Sequence, residues 1–403
     1  MKVLVLNSGS SSVKYQLFNG NDLSWLVRGS ITRIGKNDAE CWQERKDGHE
    51  VKYTLHISDH EAAIDRILQS LLSKKSAILS DISELYAVGH RVVHGGEYFS
   101  QPTLISDDVI EKIEECSQLA PLHNPPQIAG IRACQKLIPG IPQVAVFDTA
   151  FHQTIPQYAF MYALPYEFYE KYRIRRYGFH GTSHYYVAKK AAELAEIDFN
   201  KSKIITCHLG NGSSMAAIHD GVCVDTSMGF TPLEGLVMGT RTGDIDASAV
   251  LFLMRQENLT AEEMDEMLNK KSGVLGLSSY SNDMQKVLQR ADTGDKRSEL
   301  AIDVFTYRVK KYIGAYAAAL NGVDLLVFTA GIGENAPLVR SKICKDLDFI
   351  GLRLDHFVNQ IAQFSEVKIS RDDSAVQVWV VPTNEESVIA SQTLDVIYEM
   401  QKD

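Results

Sequence analysis

Residues 1–18 read MKVLVLNSGSSSVKYQLF, in which two apolar runs, Met1–Leu6 and Val13–Phe18, flank the small-residue loop Asn7–Ser12. Residues 204–218, IITCHLGNGSSMAAI, repeat this order of apolar run, glycine- and serine-containing loop and apolar run. Short apolar runs bounded by such loops are typical of buried β-strands. The repeat is spaced by about 200 residues, far more than the ~20–50 residues of a solenoid unit, and therefore indicates two duplicated domains.

Strand-like and helix-like segments alternate along the rest of the chain. Ala63, Ile64, Ile67, Leu68 and Leu71 predict a helix after Asp59, and Ile302–Leu320 predicts a longer one ending at Asn321-Gly322. Further helices are predicted at Asp107–Cys116, capped by Asp107, and at Ser387–Gln401, and further strands at Leu85–Val88, Val144–Phe147, Asp324–Phe328 and Val376–Val381. The alternation predicts an α/β fold, and a length of 403 residues suits two domains.

Composition excludes several classes of protein. The formal net charge of −10 argues against nucleic acid or an anionic membrane as a partner. No apolar run approaches the ~20 residues of a membrane span, and the apolar N-terminus is too short for a signal peptide. The six cysteines have no metal-ligand spacing, so buried, reduced thiols in a reducing compartment are expected.

Three glycine-rich loops, each at the end of an apolar strand, suggest a phosphate or nucleotide site. They are Gly9–Ser12, Gly210–Ser214 and Gly331–Asn335, and Lys14 follows the first. Backbone N–H groups of tight loops bind anions, and hydroxyls add donors. None is a P-loop or a complete dinucleotide fingerprint. A plain hairpin turn explains either serine-containing loop alone, whereas three such loops favour a nucleotide site.

Basic side chains recur in three further glycine-containing segments. They are Gly89–Gly96, Arg175–His184 and Gly239–Asp244, where Arg241 lies between glycines. A surface salt bridge explains any one arginine, but three such segments favour stabilisation of a phosphoryl group, because guanidinium binds phosphate bidentately. His123 lies in the proline-rich loop 121–126, where either a turn hydrogen bond or a positioned functional side chain is expected.

Carboxylates follow two of the predicted strands. Asp148 ends one apolar strand, and Glu385 and Glu386 come shortly after another. Oxygen ligands at strand ends suit Mg²⁺. Negative charge at the start of the closing helix is an equally adequate explanation for one of the two glutamates.

Together these segments resemble the acetate kinase family over essentially the whole chain. The matching segments are Asn7–Lys14, Gly89–Gly96, Pro121–Asn124, Val146–His152, Arg176–His184, His208–Ser214, Asp225–Asp244, Thr329–Asn335 and Pro382–Glu386. The resemblance implies an α/β fold of two duplicated ribonuclease-H-like (actin-like ATPase) domains with a cleft between them. The N-terminal domain would comprise residues 1–150 and 387–403, and residues 151–386 would form the nucleotide-binding and dimerisation domain.

The resemblance also implies ligands for most of these residues. Asn7 and Glu385, with Glu386 as the alternative, would lie by Mg²⁺, or Mn²⁺ in its place, and Ser10, Ser12 and Lys14 near the phosphates. The nucleotide, ATP or ADP, would contact His208, Leu209, Gly210, Asn211, Gly212, Asp283, Met284, Gln285, Gly331, Ile332, Gly333, Glu334 and Asn335. The family usually has arginine in place of Gln285, so the chain departs from the pattern on the adenine side.

For catalysis, the resemblance implies that Arg91 and Arg241 bind acetate and the migrating phosphoryl group. His180 would stabilise the transition state, His123 would support it, and Asp148 would lie near the metal or orient Arg91. An apolar acyl pocket would be lined by Val93, Leu122, Phe179 and Pro232. The position of Val93 tends to be alanine in propionate kinases, so valine favours acetate.

The implied activity is reversible Mg²⁺-dependent transfer of the ATP γ-phosphoryl group to acetate, giving acetyl phosphate and ADP by direct in-line transfer. The alternatives are a propionate or butyrate kinase and a nucleotide-switched ATPase of the actin or chaperone class. The family also implies a cytoplasmic homodimer with no nucleic-acid or membrane partner.

Overall fold

The computed structural model describes residues 1–73, 78–363 and 365–402. They form two compact units, one of Met1–Ala150 with the C-terminal segment from Asn384, the other of Phe151–Thr383. The boundary predicted after residue 386 differs slightly, because Glu385 and Glu386 begin a helix that packs on the first unit's sheet. Residue 403, which the predicted first domain includes, lies outside the described residues.

The first unit is built on an eight-stranded sheet of order β5-β4-β3-β2-β1-β6-β8-β7. Its strands are β1 (Lys2–Gly9), β2 (Ser12–Asn19), β3 (Trp25–Thr32), β4 (Ala39–Arg45), β5 (Glu50–Leu55), β6 (Leu85–Val92), β7 (Thr103–Leu104) and β8 (Gln143–Phe147). Its helices are α1 (His60–Leu72), α2 (Asp107–Glu115), α3 (Asn124–Leu137) and, at the end of the chain, α15 (Glu385–Met400).

The second unit is built on a six-stranded sheet of order β11-β10-β9-β12-β14-β13. Its strands are β9 (Lys203–Leu209), β10 (Ser213–His219), β11 (Val222–Thr226), β12 (Leu325–Thr329), β13 (Val367–Lys368) and β14 (Gln377–Val380). Its helices are α4 (Gln157–Phe160), α5 (Tyr166–Tyr172), α6 (Gly181–Leu194), α7 (Ala247–Gln256), α8 (Ala261–Lys270), α9 (Gly273–Ser278), α10 (Met284–Asp292), α11 (Lys296–Leu320), α12 (Ala330–Asn335), α13 (Pro337–Cys344) and α14 (His356–Ile361).

The two sheets share one arrangement of five strands. In each, three consecutive strands form an antiparallel meander, β1-β2-β3 or β9-β10-β11. A parallel strand, β6 or β12, pairs with the first strand of the meander, and a second parallel strand, β8 or β14, pairs with that one. The predicted α/β class is therefore confirmed, and the repeat between residues 1–18 and 204–218 corresponds to the same hairpin in both sheets.

Both sheets are covered by helices on each face. On β1, Leu4 and Leu6 pack with residues of α1 and α3, whereas Val3 and Val5 pack with residues of α15. On β9, Ile205 and the residues two and four positions after it pack with α11, whereas Ile204 packs with α6. Because side chains alternate along a strand, apolar residues at consecutive positions serve both faces. This explains why both hairpins begin with an unbroken apolar run.

Three local predictions were wrong. The loop predicted at Asn7–Ser12 is a two-residue turn, because the antiparallel ladder of β1 and β2 continues to the pair Gly9 and Ser12. The cap of α2 is Ser106, whose side chain accepts the Val109 N–H. The loop predicted at Gly331–Asn335 is the short helix α12.

Other features agree with the sequence. The helix after Asp59 is confirmed, as is the end of α11 at Asn321, which adopts a left-handed conformation. Asp220 and Gly221 have positive φ in the turn between β10 and β11. The helices in the described part of the chain are all too short or too polar to span a lipid bilayer.

Candidate active site

The β1–β2 hairpin of the first unit presents three predicted site residues on one face. Asn7 and Lys14 are direct cross-strand partners. Directly opposed residues project from the same side of a sheet, and so do residues two apart on one strand, which adds Ser12 to this face. Ser10 lies exposed in the turn. The hairpin therefore groups an amide, a hydroxyl and an ammonium, as a metal and phosphate site requires.

Arg91 and Asp148 meet at the carboxyl ends of the parallel strands β6 and β8. Nε of Arg91 donates to Oδ1 of Asp148 at 2.9 Å, and Nη2 donates to Oδ2 at 2.6 Å. The Asp148 side chain is buried, whereas that of Arg91 keeps 21% of its accessible surface. Burial opposes the guanidinium charge, but the carboxylates of Asp148 and Glu385 outweigh it and raise the pKa of Arg91. One edge of Arg91 is thus locked by a bidentate pair.

Glu385 is the first residue of α15. Its Oε1 is buried and has no hydrogen-bond partner among the residues that the structure describes. Burial raises the pKa of Glu385 to about 7; the charge of Arg91 opposes this rise and that of Asp148 adds to it. Lys14 also lowers this pKa. Glu385 therefore belongs to the same cluster of charges as Arg91 and Asp148.

Asn7 and Glu385 have the right chemistry for a hard cation. In the described residues, no three His, Cys, Asp or Glu side chains are grouped closely enough to hold a metal by themselves. Mg²⁺ commonly takes only one or two carboxylates and completes its coordination with substrate phosphates and water. The orphaned carboxylate oxygen of Glu385 fits such a site.

The remaining predicted residues of the first unit differ in exposure. Val93 is buried, and its N–H donates to Oε1 of Gln127 at 2.9 Å. His123 is half-buried at the residue before α3. Leu122 exposes 67% of its surface. The roles of Val93 and Leu122 in binding an acyl group and of His123 in catalysis stay predictions.

In the second unit, His180 is held by a hydroxyl and another imidazole. It adopts a left-handed conformation, with φ of +56°, at the residue before α6. Its Nδ1 lies 2.9 Å from Oγ of Ser214, and its ring stacks on His208 with centroids 4.2 Å apart. Nε2 lies 3.6 Å from where a Cβ on Gly212 would be. The ring is therefore fixed with this nitrogen beside the glycine-rich turn.

Arg241 borders the same turn. Its Nη1 lies 3.7 Å from the Cβ position of Gly212. Nη1 makes a long hydrogen bond of 3.3 Å to the carbonyl oxygen of Pro232 and a weak contact of 3.8 Å with Sδ of Met238. No carboxylate of the described residues pairs with it, and burial lowers the pKa of Arg241. A half-buried guanidinium without a counter-ion is well suited to bind an anionic ligand.

A pocket of ≈ 580 Å³ in the second unit is lined in part by Gly210 and Asn211 of this turn. Its volume lies in the range of ~300–1,000 Å³ that is typical of small-molecule sites. It is lined by Gly210, Asn211, Asn282, Asp283, Met284, Gln285, Leu288, Gly331, Ile332, Asn335, Ala336 and Gln363. Most of the residues predicted to contact a nucleotide are therefore brought together, although they come from distant parts of the chain.

Helix ends build the walls of this pocket. Asp283 caps α10 by accepting the Gln285 N–H at 3.0 Å, which places Gln285 in the first turn. Asn282 donates from Nδ2 to Oδ1 of Asn211 at 3.0 Å and so joins this wall to the β9–β10 turn. Gln285, where the family usually has arginine, lines the pocket with an uncharged side chain.

Other predicted nucleotide residues support the pocket rather than line it. Leu209 is buried in the core, and His208 places Nδ1 2.8 Å from Oγ of Ser183. Gly333 packs against Phe328 and the backbone of Cys207. Oε1 of Glu334 accepts the Thr383 N–H at 3.2 Å. Direct contacts of these residues with a nucleotide, and of Gly212, stay predictions.

Sequence reasoning missed four residues that line the pocket. Asn282 and Ala336 adjoin predicted segments, and Leu288 lies one turn beyond Gln285 on α10, so helical spacing was a usable signal. Gln363 follows α14 and carries no signal in the sequence.

In the segment Arg175–His184, the guanidinium of Arg176 is occupied by contacts within the second unit. Nη1 of Arg176 donates to the carbonyl oxygens of Thr226, Ser227 and Met228 at 3.1 Å each. Its Nη2 donates to Oε1 of Glu234 at 2.6 Å. Phe179 is buried, and its carbonyl oxygen lies 3.0 Å from Nε2 of His152. Within this segment, His180 lies beside Gly212, as Arg241 does.

The repeated fold and this site define a class of α/β phosphotransferase built on two ribonuclease-H-like domains. The chain belongs to the acetokinase family, whose family model matches residues 2–391. It is 55% identical over 397 residues to the acetate kinase of Halothermothrix orenii, covering 98% of this chain and 100% of that one.

Solved structures agree with this assignment. The acetate kinase of Porphyromonas gingivalis superposes with a TM-score of 0.95 at 47% identity, covering 98% of this chain and 99% of that one. A propionate kinase from Francisella tularensis superposes with a TM-score of 0.91 at 44% identity and the same coverage. The fold is therefore common to enzymes named for two different acids.

Proposed function

We propose that this protein is an enzyme that transfers the γ-phosphoryl group of ATP to acetate, reversibly, giving acetyl phosphate and ADP. The observation that carries the proposal is the turn Gly210–Gly212. Gly210 and Asn211 line the nucleotide-sized pocket, and Gly212 lies beside His180 and beside Arg241, which has no counter-ion among the residues that the structure describes. A nucleotide in this pocket would present its phosphates to these two side chains.

Proton transfer plays no part in the proposed chemical step. Acetate is ionised at neutral pH and can attack phosphorus directly. An oxygen of acetate forms the new P–O bond while the bond to the β-phosphate oxygen breaks and its electron pair leaves with ADP. The loose transition state carries charge on the equatorial oxygens of the phosphoryl group. Catalysis then consists of alignment and charge stabilisation by Arg91, Arg241 and His180.

The bidentate contact supports a positioning role for Asp148. Both of its oxygens accept from Arg91, so it orients the guanidinium and is poorly placed to act as a base. Asn7 and Glu385 would hold the divalent cation, Mg²⁺ or Mn²⁺. When bound, the cation neutralises phosphate charge.

Acetate is the proposed acceptor, and propionate is the main alternative because the chain also resembles a propionate kinase. One methylene is worth only ~1–3 kcal/mol of discrimination. Some propionate turnover is therefore expected.

The test is formation of acyl phosphate, trapped as the hydroxamate with hydroxylamine, from Mg-ATP and a panel of acetate, propionate and butyrate. We expect kcat/KM to fall in that order. Without a carboxylic acid acceptor, hydrolysis of ATP to ADP should be slow. Equal ATP hydrolysis with and without acetate would instead indicate a nucleotide-switched ATPase.

The proposal extends to assembly and location. Exposed apolar side chains are concentrated on the second unit, among them Tyr158, Tyr166, Phe168, Leu251 and Phe252. A homodimer formed through that unit would bury some of these side chains, as interaction sites do with clustered apolar groups. The six cysteines are buried and unpaired, which suits the reducing cytoplasm.

A further inference from the structure

The two candidate phosphoryl-binding arginines are positioned in different ways. Arg91 is fixed by its side chain, through two hydrogen bonds to Asp148. Arg241 has no such partner among the described residues, and its one hydrogen bond to a carbonyl oxygen is long. Its position must therefore come from its own backbone.

The backbone of Arg241 is held by a second segment, residues 268–275, at the end of α8 and the start of α9. Five hydrogen bonds join this segment to residues 238–242. Oγ1 of Thr240 donates to the carbonyl oxygen of Asn269 at 2.8 Å, and Ser272 N–H donates to the carbonyl oxygen of Thr240 at 3.0 Å. The other three are Val274 N to Met238 O at 2.9 Å, Leu275 N to Gly239 O at 2.9 Å and Thr242 N to Leu268 O at 3.1 Å.

Gly273 packs against the backbone of the loop that contains Arg241. It has a φ of +63°, which favours glycine. A Cβ at this position would lie 2.2 Å from the carbonyl oxygen of Met238 and 2.7 Å from that of Arg241. Both atoms are backbone, so neither can move away without displacing Arg241.

We propose that Thr240 and Gly273 are positioning residues for Arg241. Thr240 ties the loop to α8 through its hydroxyl, and Gly273 allows the start of α9 to press against the loop. This inference rests on the proposed function, because it assumes that the Arg241 guanidinium stabilises the transferred phosphoryl group.

The first test removes the Thr240 hydroxyl with little change in volume. We expect Thr240→Val to lower kcat by about ten- to a hundredfold, since a displacement of ~1 Å at a reacting centre costs about a hundredfold. KM for ATP should stay within about twofold, because Thr240 does not line the nucleotide pocket. Thr240→Ser keeps the hydroxyl and should restore most of the activity.

A double-mutant cycle separates positioning from general destabilisation. In an Arg241→Ala background, Thr240→Val should cause no further loss of kcat. The same four proteins are compared for their affinity for acetyl phosphate in the absence of nucleotide. Calorimetry measures this affinity without turnover. There too the double variant should bind no more weakly than Arg241→Ala alone.

The second test uses a matched pair of glycines. Gly294 also has a positive φ, +89°, but a Cβ there meets no atom within 4 Å in the part of the chain that the structure describes. Gly273→Ala and Gly294→Ala therefore carry a comparable backbone penalty, and only the first collides with the Arg241 loop. We expect Gly273→Ala to lower kcat at least tenfold, and Gly294→Ala to keep wild-type kcat.

The outcomes separate this inference from the proposed function. Near-normal turnover of Arg241→Ala would remove Arg241 from the proposed site. If Arg241→Ala is inactive while Thr240→Val and Gly273→Ala keep wild-type kcat, the positioning inference fails and the proposed function stands. Equal losses from Thr240→Val with and without Arg241 would also overturn the inference.

Discussion

At the scale of single residues, Arg91, Asp148 and Glu385 form a small cluster of opposite charges in the first unit. Arg91 and Asp148 pair by a bidentate contact, and the nearby Glu385 has a buried oxygen with no hydrogen-bond partner in the described parts of the chain. Arg91 and Lys14 offset only part of the cost of burying the Glu385 carboxylate, so its charge costs free energy in the protein without a bound cation. The cluster therefore stores an unfavourable interaction that binding of a cation would relieve.

This cluster predicts a pH dependence of stability. Burial raises the pKa of Glu385 from its ordinary 4.5 to about 7. Between these two values the folded state holds a proton that the unfolded state has lost, so the stability of the metal-free protein falls as pH rises through this window. Above pH 7 the penalty is complete, on the order of 3 kcal/mol at 1.36 kcal/mol per pKa unit.

The Glu385→Gln side chain does not ionise, so this variant should not lose stability as pH rises. We expect its thermal midpoint in EDTA to exceed that of wild type by an amount that grows from pH 5 to pH 8. Melting curves of both proteins at several pH values and one ionic strength test this. A difference between the two midpoints that does not vary with pH would show that Glu385 titrates normally.

At the scale of elements, the sequence predicted those parts whose signal is local. The apolar runs of both hairpins predicted strands. The spacing of Ala63, Ile64 and Ile67 predicted a helix, and these residues form its buried face. The length of the first turn was not predictable, because Asn7 and Ser8 are small polar residues that suit a loop. Their strand conformation comes from pairing with Lys14 and Val13, a tertiary effect.

Strand β6 and helix α15 show a contact that only the structure reveals. A Cβ on Gly89 would lie 2.4 Å from Oγ1 of Thr393 and 2.8 Å from Cγ2 of Ile389. The helix from the C-terminus of the chain therefore rests directly on the glycine of a central strand. The sequence marked Gly89 only as the first residue of the basic segment Gly89–Gly96, because its partners in α15 lie some 300 residues away.

Gly89→Ala should therefore destabilise the first unit. Overpacking of a close contact costs about 1–3 kcal/mol, so we expect a lower thermal midpoint. Gly314→Ala is the matched control: Gly314 lies within α11, and a Cβ there meets no atom within 4 Å. Alanine in a helix is favoured over glycine by about 1 kcal/mol, so this variant should melt no earlier than wild type. Equal midpoints for Gly89→Ala and wild type would contradict the close packing.

At the scale of the whole molecule, the repeated fold carries different chemistry in its two copies. The equivalent hairpins, β1–β2 and β9–β10, each bear residues that the sequence predicted to be functional. The first bears Asn7, Ser12 and Lys14 on one face, and the turn of the second lines a pocket. Sequence reasoning could find both hairpins because each carries a local glycine and serine signal.

The full pocket could not be derived from the sequence. Its walls come from the β9–β10 turn, from α10 and α12, and from Gln363 beyond α14. Helical spacing links Leu288 to Gln285, but no local pattern links α10 to a residue that lies more than 70 positions later. Such neighbours arise from the topology of the sheet and the packing of the helices around it.

This division of chemistry predicts how ADP acts on variants of each unit. A ligand at a hundred times its Kd stabilises the folded state by about 2.7 kcal/mol, so ADP should raise the midpoint of unfolding of the unit that binds it. Gly331 lines the pocket, and a Cβ built there meets no atom of the described residues within 4 Å. Gly331→Phe can therefore fold normally while its ring fills space that the nucleotide needs, and its midpoint should not respond to ADP.

Arg91→Ala, which alters only the charge cluster of the first unit, should keep the full ADP shift while losing turnover. If ADP stabilises Gly331→Phe as much as wild type, the nucleotide binds elsewhere, and the pocket cannot be what places its phosphates beside Gly212.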